Sequence, residues 1–69
     1  MSNTKVERIL VKRLQREITS MLDEIFGVEE AKRWMITPNL KLLNKEPEEV
    51  WNDVHGCLRI VLVLGCDFL

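Results

Sequence analysis

Apolar residues recur with a helical period along the first third of the chain. Between Val6 and Ile25 they fall at every third or fourth position, while most lysines and arginines gather on the opposite side. The pattern predicts a first helix over residues 5–26. Thr19 and Ser20 leave a second possibility, because two polar residues in this position can instead cap a new helix.

A glycine and a proline bound the next predicted helix. Gly27 follows an apolar pair, at a point where the end of a helix favours a residue able to take positive φ. Pro38 cannot donate a backbone hydrogen bond and disfavours helical angles in the preceding residue. We therefore expect a second helix over residues 28–36.

A loop is predicted over residues 37–46. Asn39 is suited to closing the turn with its side chain. Pro47, followed by two glutamates, is typical of the first turn of a helix, so a third helix is predicted over residues 47–54. We expect the loop to return to the core through its leucines, which are Leu40, Leu42 and Leu43.

The last stretch, from Cys57 to Leu69, carries conflicting local signals. Residues 60–64 are apolar and rich in β-branched side chains, as in a buried strand. The sequence offers no second convincing strand to pair with it, and a helix satisfies its own backbone hydrogen bonds. As a helix the segment is apolar on all sides except for Arg59, so burial on nearly every side is expected. The expected fold class is an all-α bundle of four or five helices with an apolar C-terminal helix.

Size and composition indicate a small domain that gains from a partner. The chain has 69 residues, 46% of them hydrophobic and 30% charged, with a net charge of −1. A domain of this size buries little surface, so homo-oligomerisation to at least a dimer is the natural outlet for the apolar excess. No apolar run approaches the ~20 residues of a membrane span. We expect a cytoplasmic protein without a membrane segment.

Charge is distributed unevenly between the two ends. Residues 1–20 carry five basic and two acidic side chains, a net charge of +3, whereas residues 21–69 carry five basic and nine acidic ones, a net charge of −4. The basic side of the first helix presents candidate phosphate contacts at Arg8, Lys12 and Arg16. A solvated helix face is the simpler interpretation, and the ~20 residues here are too few for a helix-turn-helix. Nucleic-acid binding is therefore not expected.

The potentially reactive side chains do not form a recognisable catalytic or metal site. Cys57 and Cys66 are nine residues apart, a spacing that fits neither a zinc site nor a redox pair. We expect both to be small buried hydrophobes. Asp53, His55 and Cys57 would diverge on a helix and lack an oxyanion-hole signature. The sequence predicts a protein that is not an enzyme and uses no metal or cofactor.

One ordered set of residues resembles the toxin-binding domain of the Xre/MbcA/ParS antitoxin family. The resemblance covers about residues 20–69 and leaves residues 1–19 as a basic amphipathic helix. It implies a final helix that ends at Gly65. The residues that carry the motif, together with a tryptophan from the third helix, are Gly27, Ala31, Trp34, Pro38, Leu42, Pro47, Trp51, Gly56 and Gly65. For both tryptophans core packing is the stronger expectation, and an interface anchor is the alternative.

The resemblance implies a protein-binding function. Family antitoxins cover the NAD pocket of RES-type toxins, which consume NAD or transfer ADP-ribose from it. Here the C-terminal residues would form a flexible tail that plugs the pocket, or would fold back onto the core. The candidate partner-binding residues are Asn39, Arg59, Cys66, Asp67, Phe68 and Leu69. A homo-oligomeric structural module and a nucleic-acid-binding regulator remain the alternatives.

Overall fold

The computed structural model describes residues 4–68, and the side chains of residues 5–66. Within that range the chain folds into four α-helices and one 3-10 turn, and no strand is present, so the all-α prediction is confirmed. The elements are α1 (Thr4–Phe26), α2 (Val28–Met35), the 3-10 turn (Leu40–Leu42), α3 (Pro47–Val50) and α4 (Val54–Phe68).

The first helix is continuous, so a break at Thr19–Ser20 does not occur. The hydroxyl of Thr19 donates to the carbonyl oxygen of Gln15 at 2.9 Å, which satisfies this side chain inside the helix. Gly27 ends α1 with φ of 90° and its N–H donates to the carbonyl oxygen of Asp23, as the sequence predicts. Its own carbonyl then accepts from Ala31, so one glycine joins α1 to α2.

The core lies between α1, α2 and α4. α1 packs against α2 and α4, and α4 also contacts α3 and the 3-10 turn. Apolar side chains of α1, the 3-10 turn and α4 form the centre of this core, with Pro47 of α3 also fully buried, and burying them supplies most of the stabilisation. The side chains from these three elements are Ile18, Leu22, Leu42, Cys57, Ile60 and Leu64.

The boundary between the third and fourth helices lies earlier in the sequence than predicted. α3 ends at Val50 rather than near residue 54, and α4 begins at Val54. The reason is Asp53, whose carboxylate accepts a hydrogen bond from the backbone N–H of Gly56 at 2.7 Å and so caps a new helix. At the start of α3 the N–H of Glu46 donates to the Glu49 carboxylate at 3.0 Å.

Gly56 permits the close crossing of α3 and α4. A Cβ atom at this position would overlap the carbonyl oxygen of Val50 and lie 2.6 Å from its carbonyl carbon. The adjacent carbonyl oxygen of Trp51 accepts from the Gln15 side chain at 2.7 Å and from the Cys57 thiol at 3.2 Å. α1, α3 and α4 are therefore joined at one point, which we call the Gly56 junction (Gln15, Val50, Trp51, Gly56 and Cys57).

The final helix differs from its prediction in two ways. It continues through Gly65 to Phe68, because Gly65 does not take the positive φ of a helix-terminating glycine. It is also buried on one side only, with Leu58 46% and Leu62 67% exposed, because the other elements all lie on the opposite side. Cys66 is exposed as well, so the expected burial of both cysteines is correct only for Cys57.

Two alanine substitutions distinguish a glycine required by packing from one that is not. Gly56→Ala should lower the free energy of unfolding by about 2–4 kcal/mol, because the new methyl group meets backbone atoms that cannot move aside. Gly65→Ala should raise it by about 0.5–1 kcal/mol, because no atom lies within 4 Å of the added Cβ and alanine favours the helix.

Urea unfolding followed by circular dichroism measures both changes. Equal effects of the two substitutions would contradict the close contact at Gly56.

Candidate functional site

The segment from Asn39 to Lys45 is a closed loop held by its own backbone. The Asn39 side chain accepts from the backbone N–H of Lys41 at 2.9 Å, which confirms its predicted turn-closing role. The Asn39 N–H donates to the carbonyl oxygen of Lys45 at 3.1 Å, and its carbonyl oxygen accepts from Leu42 and Asn44, each at 2.9 Å. This network fixes the directions of the side chains on the loop.

The three leucines of the loop do not share one environment. Leu42 is buried in the core, whereas Leu40 is 84% exposed and Leu43 is 76% exposed. The prediction that all three reach the core is wrong for two of them, since a single tight turn presents only one side chain inward. Leu43 has φ of 59° and Asn44 has φ of 64°. The left-handed region is unfavourable for a leucine by about 1–2 kcal/mol.

The loop lies beside one side of α4. Leu43, Lys45, His55 and Arg59 line a shallow pocket of about 360 Å³ between the loop and the helix. We define the loop–α4 surface as Leu43, His55 and Arg59 from the lining of this pocket, together with Leu40 from the adjoining 3-10 turn, which does not itself line the pocket. All four side chains are exposed. It combines two unpacked leucines with a guanidinium group.

The sequence-predicted partner-binding residues reach this surface only in part. Asn39 closes the loop and Arg59 lies in the surface itself. Cys66 is exposed on the same side of α4 as Arg59, two helical turns or about 10 Å further along. The side chains of Asp67 and Phe68, and all of Leu69, lie outside the described residues.

The predicted motif residues form the scaffold behind the loop. Ala31, Leu42, Pro47 and Gly56 are buried. Trp34 and Trp51 are half-buried and pack against the core, and Trp34 stacks on Phe26 with ring centroids 6.4 Å apart. The other motif residues, Gly27, Pro38 and Gly65, are exposed or half-buried.

Asp53, His55 and Cys57 do not converge. The Asp53 carboxylate caps α4, the Cys57 thiol donates to the carbonyl oxygen of Trp51, and His55 is exposed in the loop–α4 surface. Burial, and secondarily the Asp53 carboxylate, raises the pKa of the Cys57 thiol, which disfavours a nucleophilic thiolate. No cluster of potential metal ligands occurs among the described residues.

The basic side of α1 is exposed as the pattern predicts. Arg8, Lys12 and Arg16 are all solvent-accessible. Arg8 and Lys12 border a pocket whose other walls include the Asp53 carboxylate and the amide of Asn52. Acidic and neutral groups therefore interrupt the positive surface on this side.

A separate apolar groove of about 460 Å³ lies between α1 and α2. Leu22, Val28, Met35 and Trp51 contribute its apolar lining, and its charged side chains include Asp23, Lys32 and Glu48. Its mainly apolar lining suits an apolar side chain rather than a charged ligand. Among the helices described, none is long and apolar enough to cross a membrane.

Comparison with known proteins identifies no relative of this chain. The chain matches no protein-family model, no curated protein and no solved structure. The functional argument therefore depends on the residues and surfaces described above.

The two thiols should differ sharply in reactivity. At neutral pH an aromatic disulfide reagent should modify Cys66 at once and Cys57 only when the chain unfolds, since Cys57 is buried with a raised pKa. Because the folded state holds the Cys57 proton more tightly, this contribution to stability is full at neutral pH and is lost as pH rises through the raised pKa.

The single variants Cys57→Ala and Cys66→Ala assign each kinetic phase. Rapid labelling of Cys57 in the folded chain would contradict its placement.

Proposed function

We propose that this chain is an antitoxin-like protein-binding module, which neutralises a RES-type NAD-consuming or ADP-ribosylating toxin by covering the toxin's active site. The resemblance of residues 20–69 to the Xre/MbcA/ParS toxin-binding domain supplies the partner class. The loop–α4 surface supplies the physical basis for protein binding.

The proposal depends mainly on the exposure and backbone conformation of Leu43. Its side chain is 76% exposed and its backbone is left-handed, so it contributes little packing and costs conformational energy. Glycine or asparagine would suit the position better for stability alone. An unfavourable backbone with an exposed apolar side chain supports a role in binding, because strain of this kind concentrates at functional sites.

The neighbours of Leu43 suit a protein interface. Leu40 provides a second exposed apolar side chain on the same rigid turn, and Arg59 provides a charged group with five donors beside it. Arginine is enriched at interfaces, where it recognises acidic and carbonyl groups. A pre-ordered loop also loses little conformational entropy when it binds.

The C-terminal contribution to blocking would come from the end of a helix. α4 is helical through Gly65 to Phe68, so helix takes the place of most of the flexible tail expected there. Cys66 lies on this part of the helix and faces the same side as Arg59. Asp67, Phe68 and Leu69 remain candidate contacts in the proposal.

Co-expression with an adjacent RES-type toxin gene tests the proposal through cell growth and cellular NAD. Wild type should protect. Leu43→Gly should increase the free energy of unfolding by about 0.5–1 kcal/mol by relieving the left-handed strain. It should nevertheless weaken toxin binding about tenfold, as expected for removal of an interface anchor. Ile9→Glu is the matched control, because Ile9 is 62% exposed on α1 and outside the loop–α4 surface.

Deletion of residues 66–69 separates the helix end from the loop. If the deleted protein folds and protects while Leu43→Gly fails, the loop is the main contact. If Leu43→Gly protects as well as wild type, the loop–α4 surface is not the binding site. Failure of wild type to bind or protect against a neighbouring toxin would exclude the antitoxin function.

A further inference from the structure

A second surface of the chain carries an uncovered apolar stripe on two helices. We define the α1–α4 face by seven side chains, of which Leu10, Ile25, Leu58 and Leu62 are 38–67% exposed and the others are half-buried. Its members are Leu10, Leu14, Met21 and Ile25 of α1, and Leu58, Val61 and Leu62 of α4.

The two parts of this stripe belong to one surface. Leu64 lines a groove with Met21, Glu24 and Ile25, so α4 lies directly beside this side of α1. On the helical wheel, Met21 and Ile25 face away from α2, and Val61 and Leu58 face away from Gly56 and α3. The remaining elements all pack on the opposite side of the α1–α4 pair, which explains why this side is left uncovered.

α1 and α4 run parallel to each other, and the second half of α1 lies alongside α4. Gln15 reaches Trp51 just before α4 begins, and Leu64 in the last turns of α4 lies by Met21 and Ile25. Ile60, near the middle of α4, is therefore about level with Ile18 of α1.

From this arrangement we infer that the α1–α4 face binds a second copy of the chain, with α1 antiparallel to α1 of the partner. The order of side chains on α1 is self-complementary under a two-fold axis near Ile18. That axis brings Leu10 opposite Ile25 of the partner subunit and Leu14 opposite Met21 of the partner subunit. On α4, Leu58 and Val61 lie just before and just after the level of this axis. The axis therefore brings Leu58 opposite Val61 of the partner subunit.

Charge complementarity supports the same pairing. Three exposed charged side chains lie on one edge of the face, Arg13, Glu17 and Glu24, and none of them forms an ion pair among the described residues. Arg13 and Glu24 are about equally far from the axis on its two sides, whereas Glu17 lies near the axis and faces its own copy. The antiparallel arrangement brings each Arg13 toward the partner's Glu24, within reach of their long side chains. Antiparallel helices also oppose their dipoles favourably.

A dimer of standard size would cover a substantial part of so small a chain. A standard interface removes about 800 Å² from each partner, which is about 15% of the 5217 Å² surface of this chain. The proposed dimer goes beyond the antitoxin proposal, because the α1–α4 face contains none of the residues of the loop–α4 surface. The dimer would present two such surfaces.

Sedimentation equilibrium of the full chain over about 1–100 μM tests the dimer, since interfaces of modest size dissociate in the micromolar range. Leu58→Glu should raise the dissociation constant at least about tenfold by placing a charge in the apolar centre. Leu40→Glu is the matched control, since Leu40 is 84% exposed on the loop, and should leave the dissociation constant within about twofold. A monomeric wild type, or equal effects of the two variants, would overturn the inference.

Charge reversal tests the register without disturbing the core, because Arg13 and Glu24 are exposed. Arg13→Glu and Glu24→Arg should each raise the dissociation constant about three- to tenfold, because both contacts become repulsive. An equimolar mixture of the two variants should recover the wild-type value within about twofold, since the heterodimer regains two attractive pairs. A dimer that is not restored by mixing would overturn the antiparallel arrangement.

Discussion

The contact between Gly56 and the carbonyl of Val50 is the constraint on which the rest of the fold depends. It allows α4 to start against the end of α3, and it leaves the neighbouring Trp51 carbonyl available to Gln15 of α1 and to the Cys57 thiol. Any larger residue at position 56 would separate these helices. Because the junction sets the position of α4, it also sets which sides of α4 are buried and which are exposed.

The consequence is a core covered from one side only. α2, α3 and the 3-10 turn pack against α1 or α4, and a chain of 69 residues still keeps apolar surface outside its core, including the loop–α4 surface and the α1–α4 face. The loop–α4 surface combines strained, exposed Leu43 with Arg59, a combination suited to a different protein. The α1–α4 face is self-complementary, a property that suits another copy of the same chain.

The apolar periodicity and the helix-terminating and turn residues predicted the all-α fold and the ends of α1 and α2. They also predicted the roles of Gly27, Asn39 and Pro47, because all of these depend on local sequence. Tertiary features were harder to predict from the sequence. Gly65 resembles a helix-terminating glycine, but it does not take a positive φ, and no atom lies within 4 Å of a Cβ placed there. Which leucine of the loop turns inward depends on the turn geometry. The start of α4 could have been predicted from Asp53, since an aspartate before an apolar run is a typical helix cap. The surfaces emerged only when the helices were assembled.

Amide hydrogen exchange of the isolated chain tests the central role of the Gly56 junction most directly. If the junction couples α4 to α1, the amides of Ile60 and Leu64 should exchange with the same free energy as those of Ile18 and Leu22, close to the global free energy of unfolding. The first turn of α1 should exchange faster, because Lys5 and Val6 lie outside the core. Exchange of the α4 amides well below the global value, with α1 still protected, would contradict the account.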